Sequence, residues 1–165
     1  MPRLSLSLLG SFQVTLDGEP VTGFESDRVR ALLAYLAVEA DHPHRRDALA
    51  GLLWPGWPNR SALTNLRNAL SNLRKAIGDR ESASPALLVN RETLQFNPAG
   101  DSWVDVQTFQ ALTAADQPAA RVEDGIALYR GSFLDGFGLE DSAPFEDWAQ
   151  VVREQLQWIG QVALT

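Results

Sequence analysis

The chain has 165 residues, 45% of them hydrophobic, enough to bury a core in one domain or two small ones. It has no cysteine and a net charge of −7, which excludes a disulfide scaffold, a thiol nucleophile and a thiolate metal site, and on total charge argues against a polyanionic partner. That total hides a division: residues 1–98 hold 11 Lys/Arg against 10 Asp/Glu, residues 99–165 hold 3 against 11, and Arg28 to Lys75 alone is 8 basic to 3 acidic.

Leu4-Ser5-Leu6-Ser7-Leu8 and Phe12-Gln13-Val14-Thr15-Leu16 alternate apolar and polar around Gly10-Ser11, and Asp17-Gly18 follows as a turn. This period of two predicts a small N-terminal antiparallel sheet. No small-residue cleavage site follows the first apolar stretch, and no run reaches membrane-spanning length, so a soluble, cytoplasmic protein is expected. Ser26 or Asp27 can cap a helix with Val29, Leu32, Leu33, Leu36 and Ala37 on its apolar face, ending before His42-Pro43. A second helix is predicted from Arg45 to Leu53, stopped by Trp54-Pro55-Gly56, and a third begins after Pro58. Beyond Gly78, a polar connector leads to two short strands, Leu87-Leu88-Val89 and Thr93-Leu94-Gln95-Phe96, joined through Asn90-Arg91-Glu92.

From Asp105 onward the pattern is helical. Val106, Phe109 and Leu112 mark one helix, Val122, Ile126, Ala127 and Leu128 a second, and Phe145, Trp148, Val152, Leu156 and Ile159 a third. The loop from Gly131 to Pro144 carries Phe133, Leu134, Phe137 and Leu139 and is expected to pack. Helical hairpins of this size stack as tetratricopeptide-like solenoids. The last helix reaches Thr165 without a capping signal, which predicts that the chain stops inside a longer solenoid.

The third helix carries two opposed chemistries. At about 100° per residue, Leu63, Leu66, Leu70, Leu73 and Ile77 share one side and Thr64, Asn68, Ser71 and Lys75 the other. The polar side holds no acid, although solvated helix faces ordinarily mix Glu with Lys, so it suits a polyanion. Asn68, Ser71 and Asn72 are assigned to base edges, and Arg60, Thr64, Arg67, Arg74 and Lys75 to phosphates or flanking bases. Arg67 and Arg74 border the apolar side, so each has a second reading, pairing with Asp47 or lying along the core. Arg45 and Arg46, at a helix N-terminus, either clamp a phosphate or pair with an acid such as Asp41. Arg91 at the hairpin tip either reaches DNA or is solvated.

Sheet, three helices and hairpin, in that order, describe a winged helix-turn-helix, an α+β fold whose third helix enters the major groove with the hairpin beside it. The segments Leu8-Leu9-Gly10-Ser11-Phe12, Arg30-Ala31-Leu32-Leu33-Ala34-Tyr35-Leu36-Ala37, Arg46-Asp47-Ala48-Leu49, Leu52-Leu53-Trp54-Pro55 and Leu66-Arg67-Asn68-Ala69-Leu70-Ser71-Asn72-Leu73-Arg74 resemble the antibiotic-regulatory-protein type of bacterial transcriptional regulator. Val104-Asp105-Val106, Phe109 and Leu128-Tyr129-Arg130-Gly131-Ser132-Phe133-Leu134 are similar to that family's second module, the helical bacterial transcriptional activator domain. The resemblance implies an OmpR-type winged-helix DNA-binding domain over residues 1–98 and the start of the all-α module over 99–165. It further implies a sequence-specific activator that binds direct promoter repeats as a dimer on double-stranded DNA and contacts RNA polymerase.

The remaining features point to other classes less well. His42 and His44 lack a Cys or converging carboxylates and read as loop residues, with no metal expected. Trp54 is assigned to the core and Trp57 to a half-exposed turn that can contact polymerase. The acids after residue 98 are scattered rather than paired, and no glycine-rich phosphate loop is present, so neither an enzyme nor a cofactor is expected. The competing function is a protein-interaction module whose winged helix no longer binds DNA and whose basic face holds an acidic partner.

Overall fold

The computed structural model describes residues 2–164. Strands β1 (Leu4–Ser7), β2 (Gln13–Leu16) and β3 (Glu19–Pro20) form an antiparallel meander. Its alternation puts Leu4 and Leu6 wholly inside and leaves Ser5 and Ser7 partly open. Three helices follow, α1 (Asp27–Val38), α2 (Arg46–Leu53) and α3 (Asn59–Ala76), with a two-residue strand β4 (His44–Arg45) before α2. The hairpin strands β5 (Leu87–Val89) and β6 (Thr93–Phe96) pair antiparallel, with Leu87 opposite Phe96 and Val89 opposite Leu94, and β4 adds to β6 to make a three-stranded sheet ordered β4-β6-β5.

His44 therefore departs from the loop expected of it. It lies buried in β4, its Nε2 is 2.6 Å from the Glu39 carbonyl, and Tyr35 meets it edge-on. The rigid ladder pairing with Leu94 places it inside.

A further strand, β7 (Ser102–Val104), was not foreseen. It pairs parallel to β1, extending the N-terminal sheet to the order β3-β2-β1-β7. It also feeds directly into α4 (Asp105–Leu112), which is followed by α5 (Ala119–Ala127) and the long α6 (Ala143–Leu164).

The packing does not break at residue 98. The buried Asp105 carboxylate accepts hydrogen bonds from the backbone N–H groups of Leu8 and Leu9, both at 2.9 Å, and Leu9 bridges to Phe133. The Leu134 N–H donates to the Leu8 carbonyl at 2.9 Å. Farther along the seam, Arg28 pairs with Asp141 at 2.6 Å, Ser142 Oγ donates to the Leu52 carbonyl, and Trp148 Nε1 donates to Glu39. Phe109, Phe133 and Phe145 are fully buried in the same cluster as Leu32, Leu36 and Leu66. Truncating any of these phenylalanines would cost about 3–5 kcal/mol. The loop between α5 and α6 thus packs as its apolar residues require, with Leu134 and Leu139 also buried.

Candidate nucleic-acid interface

Helix α3 is packed so that one side faces outward. Leu66, Leu70, Leu73 and Ile77 are buried, Leu63 is partly so, and Arg60, Thr64, Arg67, Asn68, Ser71 and Lys75 are exposed. At the C-terminal end, Gly78 takes the left-handed conformation (φ 59°), and the Arg3 guanidinium donates to the carbonyls of Ile77 and Gly78 at 2.9 and 2.8 Å. Beyond it, the buried Asp79 carboxylate accepts from the N–H groups of Ala86 and Leu87, fixing where β5 begins relative to the helix.

The hairpin tip is built by Asn90, whose side-chain oxygen accepts from the N–H groups of Glu92 and Thr93 at 2.9 and 2.7 Å. Arg46 ties this tip to the start of α2. Its guanidinium donates twice to the Asn90 carbonyl, at 2.7 and 3.1 Å, and its N–H donates to the Glu92 carbonyl. The result is an open cleft of about 320 Å³ lined by Arg45, Arg46, Leu63, Arg67, Arg91 and the acids Asp47 and Glu92. Asp47 pairs with Arg45 at 3.4 Å rather than with Arg67, and Asp41 is taken by His42. Partial burial, and then the like charge of Arg67, hold the Arg46 guanidinium below the usual arginine range. Cations brought together this way favour an anion between them.

The structure does not leave all the predicted residues on this face. Asn72 is 8% exposed, and its amide is spent inside the protein: Oδ1 accepts from the Glu25 N–H at 2.9 Å, and Nδ2 donates to the Gly23 carbonyl at 3.0 Å. It cannot reach a base edge without releasing that loop, which corrects its assignment. Arg74 is half-buried, and its Nε is enclosed with no hydrogen-bond partner among the described residues, so its stem lies along the core as the second reading allowed. Thr64 is exposed but its hydroxyl donates back to the Arg60 carbonyl at 3.0 Å. Arg91 is exposed at the tip. Sequence reasoning missed Asn90 and Arg3, which organise the site through the backbone and carry no periodic signal.

Trp54 is buried with the Arg28 guanidinium over its ring, while Trp57 in the same turn is 53% exposed. No cluster of three His, Cys, Asp or Glu residues among those described is placed to hold a metal ion. No helix among them is long and apolar enough to cross a membrane.

A solved structure has a similar fold. Mycobacterium tuberculosis EmbR in complex with a low-affinity phosphopeptide superposes over 96% of this chain with a TM-score of 0.73 and 29% sequence identity. The chain is similar to a transcriptional regulatory protein, EmbR. EmbR sequences from M. tuberculosis and M. bovis are each 41% identical to it over 66 residues, 40% of this chain and 17% of the relative. The chain spans 44% of the EmbR structure, so it corresponds to less than half of that protein. EmbR is named as a regulator of transcription, not as an enzyme. No family model matches the chain.

Proposed function

We propose that this chain regulates transcription by binding double-stranded DNA through α3, with residues 1–98 acting as an OmpR-type winged helix and residues 99–165 as an attached helical module of the bacterial transcriptional activator kind. The observation that carries this reading is the outward side of α3. It is 18 residues long, holds no acid, and is flanked by the cleft where Arg45, Arg46, Arg67 and Arg91 meet. At about 1.5 Å per residue, such a helix exceeds the roughly 12 Å width of the major groove. The cleft lies where a phosphate of the adjacent strand would pass, and the hairpin held by Arg46 then sits beside the groove as a wing.

The similarity to EmbR supports the regulatory part of the proposal. The acidic half does not cover the cationic face: its one ion pair to the first half, among the described residues, is Asp141 with Arg28. A single winged helix buries little DNA, so two copies side by side on a direct repeat are proposed, with activation through contact with RNA polymerase. A protein partner is also proposed, since the EmbR structure holds a phosphopeptide.

The test is selection from a random duplex library followed by titration at several salt concentrations. DNA reading predicts a repeated motif at about one helical turn and a fall of about 0.9 log units in affinity per log unit of salt for each phosphate contacted. A folded protein that selects nothing and shows a flat salt response would transfer the basic face to an acidic protein partner.

A further inference from the structure

Resting on the DNA-binding reading, we infer that Asn68 is the side chain of α3 that sets base preference, and that it does so by selecting an adenine in an A·T pair. The inference comes from accounting for the asparagine amides of the helix. Four asparagines lie on α3: Asn59, Asn65, Asn68 and Asn72. Asn72 is closed off by the Gly23 carbonyl and the Glu25 N–H. Asn65 lies two turns before Asn72 on the same flank and is half-buried there. Asn59 opens the helix, nine residues before Asn68, on the opposite side. Asn68 alone of the four lies mid-helix on the exposed stripe, and neither its carbonyl nor its NH₂ has a hydrogen-bond partner among the described residues.

An amide presents an acceptor and a donor side by side, which matches the N6 amino group and N7 of adenine, so both hydrogen bonds form with one base. The neighbours on the stripe do not duplicate this pattern. Thr64 has spent its hydroxyl proton on the Arg60 carbonyl, Ser71 has a single rotatable hydroxyl, and Lys75 has donors only. Arg67 faces the cleft beside Arg46, where a phosphate is the better match. Base choice is thereby left to one amide and anion binding to the cations around it.

The experiment compares the whole chain with Asn68→Ala in duplex selection, then titrates both proteins on the selected site and on a copy in which 7-deazaadenine, which lacks the N7 acceptor, replaces the selected adenine. The expected result is an A·T preference at one position of each repeat that Asn68→Ala abolishes while leaving other positions intact, with roughly a 5- to 100-fold loss on the best site. The 7-deaza substitution should weaken the parent protein and leave Asn68→Ala unaffected. Selection of the same base by Asn68→Ala, or a G·C pair at the Asn68-dependent position, would overturn the assignment while leaving DNA binding standing. A parent protein that selects no sequence would overturn both. Asn68 is exposed, so an unchanged thermal melt shows that the variant is folded.

Discussion

The side-chain oxygen of Asn72 accepts a hydrogen bond from the backbone N–H of Glu25 at 2.9 Å. With the Gly23 carbonyl on its NH₂, this one amide fastens the loop that precedes α1 to the middle of α3. Asn72→Ala is expected to destabilise the protein by about 1–3 kcal/mol, because a donor and an acceptor lose their partner in a largely enclosed place. Urea unfolding measures the loss. On DNA, the variant should keep the parent's base preference at temperatures where it is folded, and a changed preference would return Asn72 to the interface.

Arg67→Ala and Lys75→Ala should behave differently from any base-reading variant. Each is expected to weaken binding to specific and random duplexes alike and to lower the salt slope by about one. Fluorescence anisotropy across a salt series reads both numbers. Arg46→Ala should do more, since it also frees the hairpin tip from its anchor on the Asn90 carbonyl.

Asp105 sets a pH dependence of stability. Burial raises its pKa, against the opposing pull of the Leu9, Leu8 and Val106 N–H groups and of the Arg130 charge, so the folded protein holds this proton more tightly than the unfolded chain does. Its contribution is therefore present below the unfolded carboxyl range and lost as the pH rises through the folded value. Asp105→Asn cannot titrate. The stability difference between parent and Asp105→Asn should be largest near about pH 4 and shrink toward about pH 7 in urea titrations. A difference that widens with pH would contradict the direction of the shift.

Two helical glycines separate packing from propensity. A Cβ on Gly51 meets nothing within 4 Å, so Gly51→Ala should stabilise by about 0.5–1 kcal/mol. At Gly125 the same atom would sit 2.9 Å from Leu112 Cβ and 2.9 Å from Thr113 Cγ2. There the overpacking of α4 against α5, about 1–3 kcal/mol, exceeds the helix gain, and Gly125→Ala should melt lower.

Elements with a strong local period were legible in the sequence: β5 and β6 match to the residue, and α3 begins and ends where Pro58 and Gly78 placed it. What escaped was nonlocal. Ser102-Trp103-Val104 is too short to announce a strand and becomes one only by lying against β1. His44 is drawn inside by pairing with Leu94, about 50 residues away in sequence. At the site, the wheel placed Asn68, Thr64, Ser71 and Lys75 outward, as the structure has them, because helical geometry alone decides that. Asn72 sits at the edge of the same arc, and only the Gly23–Glu25 loop, which no periodicity reveals, turns it from surface to interior.

The place of β1 in the sheet also orders events during synthesis. It lies between β2 and β7, so during synthesis this strand keeps one edge open until residues 102–104 have followed it, and Leu8 and Leu9 wait for Asp105. A nascent chain paused anywhere before that point presents an unpaired strand edge beside an unfinished core, the condition in which chains add to one another. Pairing of Ser102–Val104 with β1 thus closes the edge at which the growing chain is open to aggregation.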